Sequence, residues 1–271
     1  MTATPLVSVI VRTRNRPWYL RQALEGLAAQ TFRDFETLVL NDGGEDVAAL
    51  VGEFGGRLTC RYFHCRPGRG RCGAANLGLA EARGERIAYL DDDDLYYPDH
   101  LAVLVETSEA EKADVAYSNA NEVIHTAVAG SEGYREVGRA LKLDHDFSRA
   151  RFFLHSYIHL VTLMHRKRCT ERVGGFDESL EVLEDLDLCF RLAQEFDFVH
   201  VRRVTAEYRI RDDATNAVTS MPREFQATRQ QIYAKYIHLI LPELIKYTEH
   251  KDHIVTELMR RVEALERRVG G

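Results

Sequence analysis

Short apolar runs alternate with segments of helical periodicity through about the first 115 residues of the chain. The first run, 6–12, is rich in valine and isoleucine, which is typical of a strand buried on both faces. The predicted strands are 6–12, 36–40, 58–63 and 86–90. The predicted helices are 20–28, 47–54, 73–83 and the segment that Pro98 opens. This alternation predicts an α/β fold, with a mostly parallel sheet that is flanked by helices on both faces.

The second half of the chain is less regular. Residues 119–150 are polar and mixed, and we assign no element to them. Beyond them we predict strands at 161–164 and 198–201, a helix at 184–194 and a C-terminal helical extension from Pro222 onward. Near its end, apolar residues step by three and four: Val255, Leu258, Val262, Leu265 and Val269. Two heptads are too few to define a coiled coil. The extension therefore has three interpretations: pairing in a homo-oligomer, packing on its own domain, or the start of a longer helix.

Polar residues follow the predicted strands where a parallel sheet binds ligands, beyond the carboxyl ends of its strands. The most acidic of these segments is 91–94, four consecutive aspartates after the fourth strand. Adjacent carboxylates repel one another unless a cation compensates them. Mg²⁺ and Mn²⁺ bind one or two carboxylates together with phosphate oxygens and water. We therefore expect a divalent ion with a diphosphate to make this run tolerable; the alternative is a solvated acidic turn before a helix.

Composition narrows the class of protein. The net charge of −6 gives no electrostatic case for nucleic-acid binding, although Arg66, Arg69 and Arg71 could hold a compact anion. The sequence predicts no spanning helix and no secretory signal. Its five cysteines form no CxxC pair, which favours reduced thiols and a cytoplasmic location.

An ordered series of short motifs runs from about residue 6 to residue 211. Its members are 8–11, 13–16, 30–31, 36–42, 70–74, 76–78, 84–85, 89–94 with Pro98, 174–177, 184–188 with 191–192, and 208–209. Together they resemble the family-2 glycosyltransferases with a GT-A fold, a Rossmann-like sheet with an Asp-x-Asp motif. The resemblance implies that 1–118 bind the donor and that 119–218 form the acceptor half of the same domain, with 219–271 as the extension.

The resemblance also implies an activity. A sugar is transferred from a nucleoside-diphosphate sugar, with UDP favoured, to an acceptor hydroxyl with inversion of the anomeric centre. The implied acceptor is a saccharide or a lipid-linked saccharide in polysaccharide or glycoconjugate synthesis. A lipid-linked acceptor would bring the protein to the inner face of the membrane as a peripheral protein.

Donor-site roles carry over by position. Thr13 and Asn15 line the nucleoside pocket, Asp42 reads the nucleobase, and Arg71 contacts phosphate or base. Asp42 could instead form its turn, and Arg71 could be a solvated loop residue. In the acidic run, the implied roles are metal binding for Asp93, contact with ribose or a metal-bound water for Asp91, and a share in either task for Asp92.

Acceptor-side roles follow in the same way. Asp185 is the candidate general base, because the acceptor hydroxyl must lose a proton as it attacks. Glu184 would hold the acceptor or orient its neighbour, and Asp177 would contact the acceptor. Glu184 and Asp185 also suit the N-terminus of a helix.

Three positions depart from the family pattern: Gly44 stands where many relatives have serine, Leu186 where relatives often have an aromatic residue, and Arg211 where many have a histidine that contacts metal or diphosphate. We place Arg211 with Glu184 and Asp177 on the acceptor side.

Two other functions remain open from the sequence. A sugar-nucleotide nucleotidyltransferase shares the sheet and the acidic metal site, but the loop 12–17 has no glycine to cradle a triphosphate. A non-catalytic module that binds nucleotide and oligomerises is the second alternative. Release of nucleoside diphosphate, of pyrophosphate, or of neither distinguishes the three.

Overall fold

The computed structural model describes residues 4–131, 133–142, 145–212, 221–242, 244–246, 248–249 and 251. The strands are β1 (Val7–Thr13), β2 (Phe35–Asn41), β3 (Cys60–His64), β4 (Arg86–Asp91), β5 (Leu95–Tyr96), β6 (Val115–Ala127), β7 (Tyr134–Lys142), β8 (Leu163–Arg166) and β9 (Phe198–Arg211). The helices are α1 (Pro17–Ala28), α2 (Ala48–Gly52), α3 (Gly70–Glu81), α4 (His100–Ala110), α5 (Arg149–Leu154), α6 (Lys167–Val173), α7 (Glu184–Glu195) and α8 (Pro222–Lys235). These elements confirm the predicted α/β class.

One sheet organises the described part of the chain. Its strand order is β3-β2-β1-β4-β8-β6-β9-β5, with β7 paired to β6. The first four strands of this order are parallel, as predicted, whereas β8 pairs antiparallel with both β4 and β6. Every residue of β1 and β2 is buried, because helices cover both faces of the sheet.

Separate apolar clusters lie on the two faces of the sheet. Leu20 and Leu24 of α1 pack with Leu104 of α4 on one face. On the other face, Ala75 of α3 packs in a cluster with Phe190 of α7. The parallel register places Arg12 opposite Asp91 and Thr13 opposite Asn41. The carboxyl ends of β1, β2 and β4 therefore meet at one edge.

The region 119–150, to which the sequence assigns no element, contains most of a long hairpin. Strand β6 pairs antiparallel with β7 and parallel with β9, with a register shift after Ile124 in the first pair. The exposed side chains along β7 explain why no apolar alternation marks this strand. The predicted strand at 198–201 also continues much further, through β9.

The C-terminal extension is helical where the structure describes it. Beyond α8, residues 237–242 and 244–246 are helical. The heptad positions from Val255 to Val269 lie outside the described residues. None of the described helices combines the length and apolarity needed to cross a lipid bilayer.

Candidate active site

A cleft of about 1200 Å³ opens at the carboxyl edge of the parallel strands. Its walls come from the end of β1, the turn after β4, the start of α7, the end of β9 and one side of α8. The sequence-predicted residues that line it are Thr13, Asn15, Asp42, Arg71, Asp91, Asp93, Glu184, Asp185 and Arg211. The structure thus brings together residues that are up to 198 positions apart in the chain.

Arg12 joins the donor half of the cleft to its acceptor half. Its Nε and Nη2 donate to the two carboxylate oxygens of Asp91 at 2.7 and 2.8 Å, and its Nη1 donates to Oε1 of Glu184 at 2.8 Å. Glu184 is only 2% exposed, and Arg12 is also buried. A bidentate, charge-assisted contact has a fixed geometry. Arg12 therefore holds the start of α7 against the end of β4.

Two further arginines hold the second carboxylate of the Asp-x-Asp segment. Nη1 atoms of Arg16 and Arg211 contact Oδ2 of Asp93 at 2.7 and 2.5 Å. Nη2 of Arg16 also lies 2.8 Å from Oδ1 of Asp92. These contacts correct one expectation: Arg211 lies beside the Asp-x-Asp segment, not on the acceptor side.

Asp92 was expected to share in metal or ribose contact, but the structure places its side chain away from the cleft. Its side chain is fully buried and does not line the cleft, so it cannot contact a donor there. Burial raises the pKa of Asp92 to about 7, and the charge of Arg16 opposes that shift. Asp92 holds Arg16 from behind the cleft wall.

The charge of the acidic run is compensated within the protein. Arg12, Arg16 and Arg211 supply the cations that the sequence interpretation assigned to a divalent ion. The last carboxyl, Asp94, accepts a hydrogen bond from the backbone N–H of Arg209 at 2.9 Å. Burial raises the pKa of Asp94 well above its usual value, and the charges of neighbouring aspartates add to that shift. A metal ion is therefore not required to offset the repulsion between these aspartates.

The Asp-x-Asp segment nevertheless suits a divalent ion in kind. Asp91 and Asp93 face the cleft with the hard oxygen ligands that Mg²⁺ and Mn²⁺ prefer. Within the part of the chain that the structure describes, no three histidine, cysteine, aspartate or glutamate side chains converge on one metal position. The residues therefore fit an ion that is shared with a bound diphosphate and water, and they do not form a closed protein cage.

The nucleoside-side residues are built on turns. Oδ1 of Asp42 accepts hydrogen bonds from the backbone N–H groups of Arg69 and Gly70 at 2.6 and 3.1 Å, and so anchors the start of α3. Asn15 has a left-handed backbone with φ of 56°, and its Oδ1 accepts a hydrogen bond from the N–H of Glu45 at 2.8 Å. Both residues therefore shape the loops of the cleft.

Gly44 lies where the turn after β2 approaches the turn that contains Asn15. A Cβ at this position would lie 2.7 Å from Oδ1 of Asn15 and 2.8 Å from its backbone nitrogen. The close approach of the two turns leaves no space for a side chain, so glycine suits this position.

Asp185 lies in the first turn of α7, partly exposed to the cleft. Its Oδ1 accepts a hydrogen bond from the N–H of Leu186 at 2.8 Å. Burial raises the pKa of Asp185 to about 6, and the charge of Glu184 adds to the shift, whereas Arg12 and Arg71 oppose it. A carboxylate with this pKa is ionised at neutral pH and can accept a proton from a hydroxyl.

At the edge of the site, Arg71 lines the cleft whereas Asp177 lies outside its wall. Arg71 lines the cleft, with its Nε 3.8 Å from Oε1 of Glu184. Asp177 is not part of the cleft wall: its Oδ1 accepts hydrogen bonds from the N–H and Oγ of Ser179, and its Oδ2 lies 3.9 Å from Nζ of Lys235. The expected acceptor contact of Asp177 thus has no support from its position.

The comparison with known families decides the class of protein. A model described as glycosyl transferase family 2 matches residues 8–154, more than half of the chain. The chain belongs to glycosyl transferase family 2. The match begins within β1 and ends with α5, so α7, β9 and α8 lie outside it.

Relatives support this assignment. The family-2 chain is 31% identical to an uncharacterised glycosyltransferase of Rickettsia typhi over 229 residues, 83% of this chain and 71% of the relative. It is 26% identical to the uncharacterised glycosyltransferase YwdF of Bacillus subtilis, over 78% of this chain and 76% of the relative.

A solved structure shares the fold. The structure of Staphylococcus aureus TarS 1–349 in complex with UDP-GlcNAc has a TM-score of 0.67 and 20% identity to this glycosyltransferase. The similarity covers 85% of this chain and 66% of the TarS chain. It confirms the predicted GT-A-type sheet and helices.

Arg12 and Arg16 are the site residues that the sequence interpretation missed. The motif resemblance favoured acidic residues and gave no role to Arg12, which precedes Thr13, or to Arg16, which follows Asn15. A signal was present, since the parallel pairing of β1 with β4 sets Arg12 directly opposite Asp91. Aligning the ends of the predicted strands, at residues 12 and 90, brings Arg12 within one position of Asp91.

Proposed function

We propose that this glycosyltransferase transfers a sugar from a UDP-sugar to an acceptor hydroxyl with inversion, and that Asp185 is the general base. The observation that carries the proposal is the Arg12 bridge. By binding Asp91 and Glu184 together, it holds the residue next to Glu184 in the same cleft as the Asp-x-Asp segment. A base and a diphosphate site on facing walls are what a single displacement needs.

The proposed reaction is a single displacement at the anomeric carbon of the donor. The acceptor oxygen forms a bond to the anomeric carbon of the donor while its proton passes to the carboxylate of Asp185. The bond from the anomeric carbon to the diphosphate oxygen breaks, and the diphosphate leaves with the electron pair. Because attack and departure occur on opposite faces of the carbon, the configuration inverts.

The leaving diphosphate gains negative charge, and the cleft offers cations for it. Arg16 and Arg211 both contact the cleft-facing carboxylate of Asp93. Guanidinium groups bind phosphate oxygens well, so these arginines can exchange Asp93 for the diphosphate. We further propose that Asp93, with Asp91, holds Mn²⁺ or Mg²⁺ together with the donor. The ion would offset charge on the departing diphosphate when it is bound.

The choice of UDP rests on resemblance and fold. TarS, whose fold this chain shares, was solved with UDP-GlcNAc. The proposed acceptor is a saccharide, free or lipid-linked, as the family resemblance implies.

Release of nucleotide from UDP-GlcNAc tests this function, with water as acceptor when no sugar is added. We expect release of UDP that Mn²⁺ increases, and loss of this release by orders of magnitude in Asp185→Asn with unchanged UDP-GlcNAc affinity in calorimetry. Asp34→Asn, an exposed aspartate before β2, is the matched control. Unchanged turnover in Asp185→Asn would remove it as base, and release of pyrophosphate would instead support a nucleotidyltransferase.

We also propose that the extension mediates self-association. Ile237, Leu241 and Leu244 expose 51, 48 and 43% of their surface, an unusual amount for such residues on one helix. Their spacing of four and three continues along the sequence, through Thr248 and Lys251, to the heptad that starts at Val255. Light scattering after gel filtration should show an oligomer that Leu241→Glu dissociates. A monomeric wild-type protein, or one that binds lipid vesicles through this face, would contradict the proposal.

A further inference from the structure

Helix α8 contributes one wall of the cleft although it lies outside the region that the family model matches. Phe225, Arg229 and Tyr233 are spaced four residues apart, which places them on the same side of the helix. All three line the cleft that also contains Asp185. This arrangement sets an aromatic, cationic and aromatic side chain in a row on that wall.

The position of α8 is fixed by its contacts with α7, the helix that begins with Glu184 and Asp185. The fully buried carboxylate of Asp187 accepts hydrogen bonds from Nζ of Lys235 at 2.7 Å and from the hydroxyl of Tyr236 at 2.8 Å. Ile232 is 2% exposed in the same core as Phe190 of α7. The wall formed by α8 therefore keeps a set distance from the proposed base.

Arg229 differs from the arginines that hold the acidic run. Arg12, Arg16 and Arg211 are each within 2.8 Å of a carboxylate. Among the residues that the structure describes, no carboxylate lies within ion-pair distance of the exposed Arg229 side chain, whose guanidinium carbon is 5.6 Å from the centre of the Tyr233 ring. An uncompensated guanidinium at a cleft wall is suited to an anionic ligand.

The neighbouring rings define the rest of the ligand. Phe225 and Tyr233 are partly buried and line the cleft, and aromatic side chains of this kind are common in small-molecule sites. An apolar face beside a cationic group matches a sugar ring that carries a carboxylate or a phosphate. A neutral saccharide would use the rings and leave Arg229 without a partner.

We propose that Phe225, Arg229 and Tyr233 form an acceptor subsite for an anionic saccharide, either a uronic acid or a sugar phosphate. This inference rests on the proposed function, because it treats the α8 side of the cleft as the acceptor side. It assigns α8 the selection of the acceptor, whereas the matched region 8–154 supplies most of the donor site.

Binding of small saccharides in the presence of UDP tests the subsite. The probes form two pairs, each titrated by ligand-observed NMR. The first pair compares p-nitrophenyl β-glucuronide, which carries a carboxylate, with neutral p-nitrophenyl β-glucoside. The second pair compares glucose 6-phosphate with neutral glucose. We expect a charged probe to bind about tenfold more tightly than its neutral counterpart, and Arg229→Gln to abolish that difference. The preferred pair identifies carboxylate or phosphate as the anion. Equal binding of charged and neutral probes, or no binding of any of them, would overturn the proposal.

Matched variants separate this result from the fate of the proposed function. Arg223→Gln, an exposed arginine of α8 that does not line the cleft, should keep the preference. Release of UDP from UDP-GlcNAc should be unchanged in Arg223→Gln, and Asp185→Asn should still bind the charged probe. Loss of UDP release together with loss of probe binding in Arg229→Gln would indicate a folding role and overturn the subsite. If the wild type releases no UDP yet prefers the charged probe, the proposed function fails while the anion subsite stands.

Discussion

Replacing Arg12 with methionine tests how the two halves of the cleft are held together. Methionine has a similar volume, so the change removes three charge-assisted hydrogen bonds and leaves little cavity. Glu184, at 2% exposure, would then be a buried charge whose remaining arginine, Arg71, is 3.8 Å away. Removing one partner of a buried ion pair costs about 3–5 kcal/mol. Because the Asp91 side chain is 33% exposed and regains water, we expect the lower end, about 3 kcal/mol.

The free energy of unfolding, from urea denaturation followed by circular dichroism, measures this loss. At roughly 2–4 °C per kcal/mol, the melting temperature should fall by about 6–12 °C. Glu184→Gln in the Arg12→Met background should cost less than in the wild type, with a coupling energy of about 1–3 kcal/mol. Arg14→Met, at an exposed position in the loop directly after β1, should change stability by less than about 0.5 kcal/mol. A loss below about 1 kcal/mol for Arg12→Met, or strict additivity in the double variant, would refute the bridge.

Three other changes probe separate parts of the site. Burial and a neighbouring carboxylate raise the pKa of Asp185 to about 6, so its basic form is lost as the pH falls through that value. The rate of UDP release should therefore rise from pH 5 to 7 and then level. A rate that does not change with pH would count against Asp185 as the base. Gly44→Ala should cost about 1–3 kcal/mol in urea denaturation, since its Cβ would meet the Asn15 backbone, whereas Gly56→Ala, with open space, should not; equal costs would contradict the packing argument. Asp93→Ala should lose Mn²⁺-dependent binding of UDP-GlcNAc in calorimetry, and wild-type affinity with Mn²⁺ would exclude this metal ligand.

The parallel half of the fold was predictable because its strands are buried on both faces and alternate with periodic helices. The β6–β7 hairpin was not, since its β7 strand carries exposed side chains and its stability comes from pairing with distant segments. The local pattern of apolar and polar residues does not indicate which distant segments pair in a sheet. Strand β9 differs in this respect: Val204, Ala206, Tyr208 and Ile210 alternate with polar residues, so its extension beyond residue 201 was predictable from the sequence and was missed.

The candidate site was predictable where a motif fixes a residue type. Asp93 and Asp185 both line the cleft, as the ordered motifs indicate. Adjacent residues in one turn can point to opposite sides, and only the folded backbone shows that Asp92 points inward. The balance of charge could not be read from the acidic run alone, because the arginines that neutralise Asp93 come from the loop after β1 and from the end of β9.

A crystal structure with UDP-GlcNAc and Mn²⁺ tests the central claim most directly. We predict that the nucleotide sugar occupies the cleft between the Asp-x-Asp segment and the start of α7. The anomalous signal of manganese should lie beside Asp93, the diphosphate should contact Arg211, and the anomeric carbon should face Asp185. A nucleotide sugar bound outside this cleft, or bound in it with the anomeric carbon turned away from Asp185, would contradict the account.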